Sequence, residues 1–380
     1  MVVSSIPASV ANGAATGSRN FSNTSQSLAE RARMTLVKAR CTCAAHAPFE
    51  PMIIERRELG PHDVMIDIAF AGICHTDIHY AYDEFGRTTY PLVPGHEIAG
   101  VVSGIGSDVS RYQVGDRVGV GVMVDSCRNC PACKAGQEQY CTGKRIMTYN
   151  SVGRDGKPTY GGYSQKIVVD ENYVVRIPES IPLDRAAPMF CAGVTVYSPL
   201  RHWGAGPGKR VAILGFGGLG HLGVQIAHAM GAEVIVLDIA ENKRDDAMRL
   251  GANEFRLATD PRTFRDLAGR IDLIISTVPV DIDLDEYAGL LALDGTFVNT
   301  GVPAKPLSID AINLLNNRRS VAGTRSGGIA ETQEMMDFCA LHGIGAEVEI
   351  ISADQIDEAY ARVLRGDVKF RFVIDTNTLQ

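Results

Sequence analysis

One stretch limits the fold of this 380-residue chain more than any other: RVAILGFGGLGHLGVQIAHAMG, residues 210–231. Its opening run is apolar without alternation, so both faces of the strand it forms must be buried, as in a parallel sheet. Gly215, Gly217 and Gly220 then follow as G-x-G-x-x-G and open a helix. A parallel strand needs neighbours reached through crossover helices, and the sequence supplies them. EVIVLDI (233–239), DLIISTV (272–278) and TFVNTG (296–301) are further buried-looking strands, separated by helical stretches such as ENKRDDAMRLG. That alternation predicts a doubly wound α/β sheet.

The glycines permit a tight turn and close backbone approach, and the following helix turns its N-terminal amides toward a pyrophosphate. Asp238 lies 18 residues beyond Gly220, at the end of the next strand. A carboxylate there accepts from the hydroxyls of an adenosine ribose and repels a 2′-phosphate, which favours NAD over NADP, although Lys243 and Arg244 are the basic residues that a 2′-phosphate would use.

The first half has another texture. DVMIDIAFAGI (63–73), EIAGVVSGIG (97–106), DRVGVGVMV (116–124), YSQKIVVD (163–170) and YVVRIP (173–178) are short β-like runs broken by Gly and Pro, the pattern of a mostly-β, barrel-like module. After Arg318 the pattern gives a helix (331–343), a strand (346–352), a helix (354–366) and a last strand (370–376). Residues 1–33 are rich in Ser, Asn and Ala with Glu30 as the single acid, and are expected to be disordered. Arg19, Arg31 and Arg33 make a transit peptide for organellar import one explanation; a start codon placed too far upstream, with Met34 as the true start, is the other. No run approaches the ~18 apolar residues of a membrane span, and a net charge of -7 gives no reason to expect nucleic acid. A small-molecule partner and a cytoplasmic location follow.

The nine cysteines are an odd number spread over a long chain, unlike a secreted disulfide framework. Four of them, Cys127, Cys130, Cys133 and Cys141, fall within 15 residues as Cys-x2-Cys-x2-Cys-x7-Cys. Disulfides suit a reducing compartment poorly, and a redox Cys-x-x-Cys needs a βαβ context that is missing here. Four thiolates satisfy a closed, tetrahedral structural zinc site. A reacting zinc needs an open position and scattered ligands, and Cys74 in GICHTDIH, His96 in PLVPGHEIAG and Cys191 in FCAGVTVYSP offer them. Cys41, Cys43 and Cys339 read as small apolar filler.

GHE after VPG, the four-cysteine lobe, GGYSQ, CAGVTVYSPL and the glycine turn, in this order, resemble the zinc-dependent medium-chain alcohol dehydrogenases. CHTDIH with CAGVTVYSPL is most similar to the cinnamyl alcohol dehydrogenase branch and its aldehyde reductase relatives. The resemblance covers residues 34–376 and implies a GroES-like catalytic domain (34–182 and 319–380) around a Rossmann domain (183–318), a homodimer, and two zinc ions per subunit. It implies that Cys74, His96 and Cys191 hold the catalytic zinc with Glu97 beside it, that Asp77 orients His96, and that Thr76 and His79 relay a proton. Thr195, Gly218 and Leu219 would lie on the pyrophosphate side, with Thr277, Gly301 and Val302 near the nicotinamide. GTRSG (323–327) matches a segment closing on the nicotinamide, where Arg325 departs from the family without an assigned role. Met147 stands where plant lignin enzymes carry a pocket Trp, which suggests a tolerant apolar pocket. The implied activity is interconversion of primary alcohols and aldehydes, aromatic or medium-chain, by hydride exchange with a nicotinamide. A zinc-free quinone or enoyl reductase of the same superfamily, or a non-enzymatic dinucleotide-binding protein, are the alternatives.

Overall fold

A computed structural model describes residues 35–380. The extension expected to be disordered, residues 1–33, lies outside the described residues. No described helix is long and apolar enough to cross a membrane.

Six parallel strands form one sheet in the spatial order Glu254–Leu257, Glu233–Asp238, Arg210–Leu214, Ile271–Ser276, Leu291–Asn299, Ser320–Gly323. The first three by sequence run outward one way from Arg210–Leu214 and the last three run the other way, so the order reverses between that strand and Ile271–Ser276. Open α/β sheets bind ligands in the crevice at such a reversal. The strands are short and densely β-branched, and Val211, Ile213, Val234, Val236 and Ile275 are buried. The sixth strand, Ser320–Gly323, lies past residue 318, where the sequence pattern ends this unit. Ser320–Gly323 is largely exposed at a sheet edge and has too little apolar content to announce itself.

The second large sheet has seven strands. Asp63–Gly72 is its hub: one edge pairs with Ile98–Ile105, the other first with Lys166–Asp170 and then with Arg371–Asp375. Val348–Ile351 adds to Arg371–Asp375 in parallel, and Arg117–Val120 and Val175–Arg176 extend the far side. The last strand of the chain therefore sits inside a sheet begun near residue 63. A separate antiparallel ribbon, Thr35–Cys41 with Glu50–Arg56, pairs Cys41 with Glu50 at its loop end. The four-cysteine lobe is an excursion between two short paired strands, Met123–Asp125 and Ile146–Met147.

One apolar core joins the two sheets. Ala99, Val175 and Val373 from the second pack in the same cluster as Val211, Ile213 and Ile275 from the first. Between them runs the helix Ala192–His202, buried from Ala192 to Leu200, with Pro199 near its C-terminal end. A helix apolar all round belongs in an interior. Its first residue follows Cys191 directly, so the core that fixes this helix also fixes that sulfur.

Candidate active site

Cys74 is the N-cap of the short helix His75–Ala81, and Asp77 in its first turn reaches back to accept the Cys74 N–H at 2.9 Å. The same buried carboxylate accepts from the Gly95 N–H at 3.2 Å and faces His96 Nδ1 at 3.1 Å. One side chain thus ties together the two segments that carry Cys74 and His96 and orients the imidazole. A ring whose Nδ1 is held by a carboxylate presents Nε2 as the free ligand nitrogen. Cys191 comes from 117 residues downstream, with its sulfur 3.9 Å from that of Cys74. Ligand atoms of Cys74, His96, Glu97 and Cys191 all lie within 4.8 Å of one another.

The electrostatics of this cluster ask for a cation. Burial opposes the charged form of His96, yet Asp77 and Cys74 hold its pKa well above the usual value. The Cys74 thiol is depressed, first by its contact with Cys191 and then by His96 and Arg371. Burial pushes the Glu97 carboxyl up to about 8, against the pull of Arg371. Glu97 bonds Arg371 through Oε1, while its Oε2 is buried with no partner. A buried oxygen without a hydrogen bond costs roughly 1–3 kcal/mol, and an ion between the two sulfurs and the imidazole would satisfy it. Two thiolates, an imidazole and a nearby carboxylate are zinc ligands, so the residues fit that metal.

Arg371 was not anticipated. It is buried on the strand Arg371–Asp375, bonded to Glu97, and a Cβ on Gly218 would come within 2.7 Å of its side chain. The guanidinium therefore bridges the metal-ligand cluster and the glycine turn. The only signal in the sequence was an arginine inside the otherwise apolar FRFVI.

The cluster opens into a cavity of about 1490 Å³ that also holds the glycine turn. Thr195, Gly215, Gly217, Gly218, Leu219, Asp238, Lys243, Thr277, Gly301 and Val302 all line it. Gly220 does not. A Cβ there would meet the Gly215 carbonyl oxygen at 1.9 Å, so Gly220 lets the helix Gly220–Ala229 start against the preceding strand. Gly215 has φ +90°, and Thr277 from the neighbouring strand donates its hydroxyl to the carbonyls of Leu214 and Gly215, both at 3.0 Å. A Cβ on Gly217 would meet nothing within 4 Å, which leaves its backbone open to the cavity.

Thr76 and His79 lie three apart on the helix His75–Ala81, hence on one face, and both line the cavity. His79 Nδ1 pairs with Glu84. Met147, Phe85, Tyr80 and Tyr140 form an apolar wall, and Arg87, Arg145 and Arg325 also line the cleft.

Asp238 is buried, and both its oxygens are already engaged. Oδ2 accepts from the Phe216 N–H at 2.6 Å and from Lys243 Nζ at 3.1 Å, and Oδ1 from the Ala240 N–H at 2.9 Å. The carboxylate expected to repel a 2′-phosphate is thus partly neutralised where it stands.

In the lobe, Cys127, Cys130, Cys133 and Cys141 bring their sulfurs within 4.8 Å of one another. Backbone amides point at them: the Cys130 N–H reaches Cys127 Sγ at 3.4 Å, the Cys133 N–H reaches Cys130 Sγ at 3.5 Å, and the Cys127 N–H reaches Cys141 Sγ at 3.5 Å. Amide donors lower the Cys130 thiol to about 5, chiefly that of Cys133, whereas burial lifts Cys133 to about 11. Amide-supported tetrathiolate geometry fits a closed zinc site with no position left for substrate. The lobe also braces the cofactor side, because Glu138 accepts from the Ile329 N–H at 3.1 Å and Tyr140 bonds the Thr324 hydroxyl at 3.1 Å.

Comparison with known proteins agrees with this architecture. Residues 60–179 match the family model of the alcohol dehydrogenase GroES-like domain, and residues 218–341 that of the zinc-binding dehydrogenase. The chain is 58% identical over 348 residues to NADP-dependent alcohol dehydrogenase C 1 of Mycolicibacterium smegmatis, covering 91% of this chain and all of that one. It is 51% identical over 350 residues to the aldehyde reductase YahK of Escherichia coli, covering 90% and 99%. Among solved structures, the cinnamyl alcohol dehydrogenase of Helicobacter pylori complexed with NADP(H) superposes with a TM-score of 0.85 at 42% identity, covering 91% of this chain and all of that one.

Proposed function

The chain belongs to the zinc-binding alcohol dehydrogenase family, and from that premise we propose that it interconverts primary alcohols and aldehydes, aromatic or medium-chain, with NADP(H) as hydride partner. The observation that carries the reading is the convergence of Cys74, His96 and Cys191 in the same cavity as the glycine turn. Zinc held there supplies Lewis-acid polarisation of the substrate oxygen. The chain's own residues do the rest. The exposed turn at Gly217 and the amides opening the helix Gly220–Ala229 bind the cofactor's pyrophosphate. Thr76 takes the substrate's hydroxyl proton and hands it toward His79, which Glu84 holds at the cavity wall. Met147, Phe85 and Tyr80 exclude water from the reacting carbon.

NADP(H) replaces the NAD expected from Asp238 alone. The engaged carboxylate supports this reading, as do the printed names of the M. smegmatis and H. pylori relatives. Lys243 is positioned to turn from Asp238 to a 2′-phosphate. Lys243→Ala is expected to raise the KM for NADP(H) about tenfold, the effect of one charge-assisted hydrogen bond, with little change for NAD(H). We also read the protein as a homodimer joined at the edge strand Ser320–Gly323, whose Val321 is exposed, as are Leu293, Ile312 and Leu315 elsewhere in this half of the chain; sedimentation of the full chain tests this.

The test of the activity is oxidation of NADPH and NADH, followed by absorbance, by zinc-loaded protein with benzaldehyde and cinnamaldehyde. Turnover with NADPH well above NADH is expected. No turnover with either cofactor would overturn the reading.

A further inference from the structure

The described residues hold a third group of metal-binding side chains, outside both clusters above. At the loop end of the ribbon Thr35–Cys41 and Glu50–Arg56, Cys41 and Glu50 are directly opposite each other in register, and Cys43 lies two residues beyond. Ligand atoms of Cys41, Cys43 and Glu50 all fall within 4.8 Å of one another. The two sulfurs are 4.0 Å apart, and Cys43 Sγ lies 2.9 Å from Glu50 Oε1. Two sulfurs on one tetrahedral zinc are separated by about 3.8 Å, from Zn–S bonds of about 2.3 Å. The molecule provides its own yardstick, since Cys74–Cys191 and Cys127–Cys133 stand 3.9 Å apart.

The reading of Cys43 as apolar filler fails, because it is exposed and bonded to a carboxylate, whereas Cys41 packs in an apolar cluster with its sulfur at the cluster's edge beside Cys43. Three acidic groups converge, and among the described ion pairs none brings a cation to Glu50. His46, in the connecting loop, is committed elsewhere: its ring stacks on Tyr82 with centroids 4.2 Å apart.

We propose that Cys41, Cys43 and Glu50 form a third, surface-accessible site for a soft divalent cation, zinc being the natural one, with water completing a four-coordinate shell. Binding displaces the two thiol protons to solvent and leaves the metal's charge balanced by two thiolates and a carboxylate. With three protein ligands and an exposed rim, this site releases metal before the four-thiol lobe does.

Metal analysis of the full chain, equilibrated with zinc under reducing conditions and desalted, tests the proposal. Three zinc ions per chain are expected in the wild type and two in Cys43→Ser, with alcohol dehydrogenase activity unchanged. Glu50→Gln, a near-isosteric change on an exposed side chain, is expected to weaken the third equivalent at least tenfold in a competition titration with a chelating dye. Two zinc ions in the wild type, or three retained in Cys43→Ser, would overturn it, as would recovery of Cys41 and Cys43 as a disulfide under those conditions. Because activity is read alongside stoichiometry, failure of this site is distinguishable from failure of the catalytic reading.

Discussion

The four-thiol lobe and the Cys74–His96–Cys191 cluster are built from the same ligand chemistry in opposite ways. The lobe collects its sulfurs from 15 consecutive residues, half exposed, braced by its own backbone amides. The other cluster draws on segments up to 117 residues apart, buries them, and orients them with one carboxylate, Asp77. A local site closes at little loop entropy and stiffens a loop; a distant one can form only after the fold exists, and so can leave a coordination position facing the cofactor. Position along the chain, more than ligand type, separates the two roles.

The contrast can be broken most sharply at Cys74. Cys74→Ser should lose one zinc and lower kcat/KM by about 10³-fold or more, since Lewis-acid stabilisation is worth several kcal/mol, while the melting temperature scarcely moves. Cys127→Ser should do the reverse: one zinc lost, a melting temperature lower by roughly 5–10 °C, and kcat of the folded fraction nearly unchanged. If both variants lost activity equally at full stability, the division of labour would be wrong. Asp77→Asn sharpens the comparison, because only the distant cluster depends on an outer carboxylate. Zinc affinity there should fall about 10–100-fold with the lobe's metal unaffected, as read by chelator competition. The smallest effect concerns the metal-stripped protein. At pH 7 a thiol held near 5 is already thiolate and one near 11 is not, so iodoacetamide should modify Cys130 before Cys133 by mass spectrometry, with the rate at Cys130 falling once pH drops below about 5.

The same contrast explains what could be read from residues alone. The lobe and the glycine turn are local patterns, so spacing was enough. Cys74, His96 and Cys191 are individually weak signals that could be joined only as candidates, and the family resemblance gave them their roles. The helix His75–Ala81 escaped notice because HTDIHYA is one short amphiphilic turn capped by a cysteine, not by the usual Ser, Thr, Asp or Asn. Arg371 was hidden for a different reason: its partners, Glu97 and the turn at Gly218, are brought to it only by pairing of Arg371–Asp375 with the hub strand. The ribbon Thr35–Cys41 with Glu50–Arg56 is short and partly exposed on one face, which left its alternation too weak to separate from loop.

The seating of Arg371–Asp375 inside a sheet begun at Asp63 has a consequence for how the molecule is made. A nascent chain can complete the four-thiol lobe and the six-stranded sheet while still tethered to the ribosome. The hub strand, however, keeps part of one edge open until residues 371–375 emerge, and Glu97 waits as long for its ion pair with Arg371. The reacting centre therefore gains its buried arginine only after every strand of the six-stranded sheet has been made.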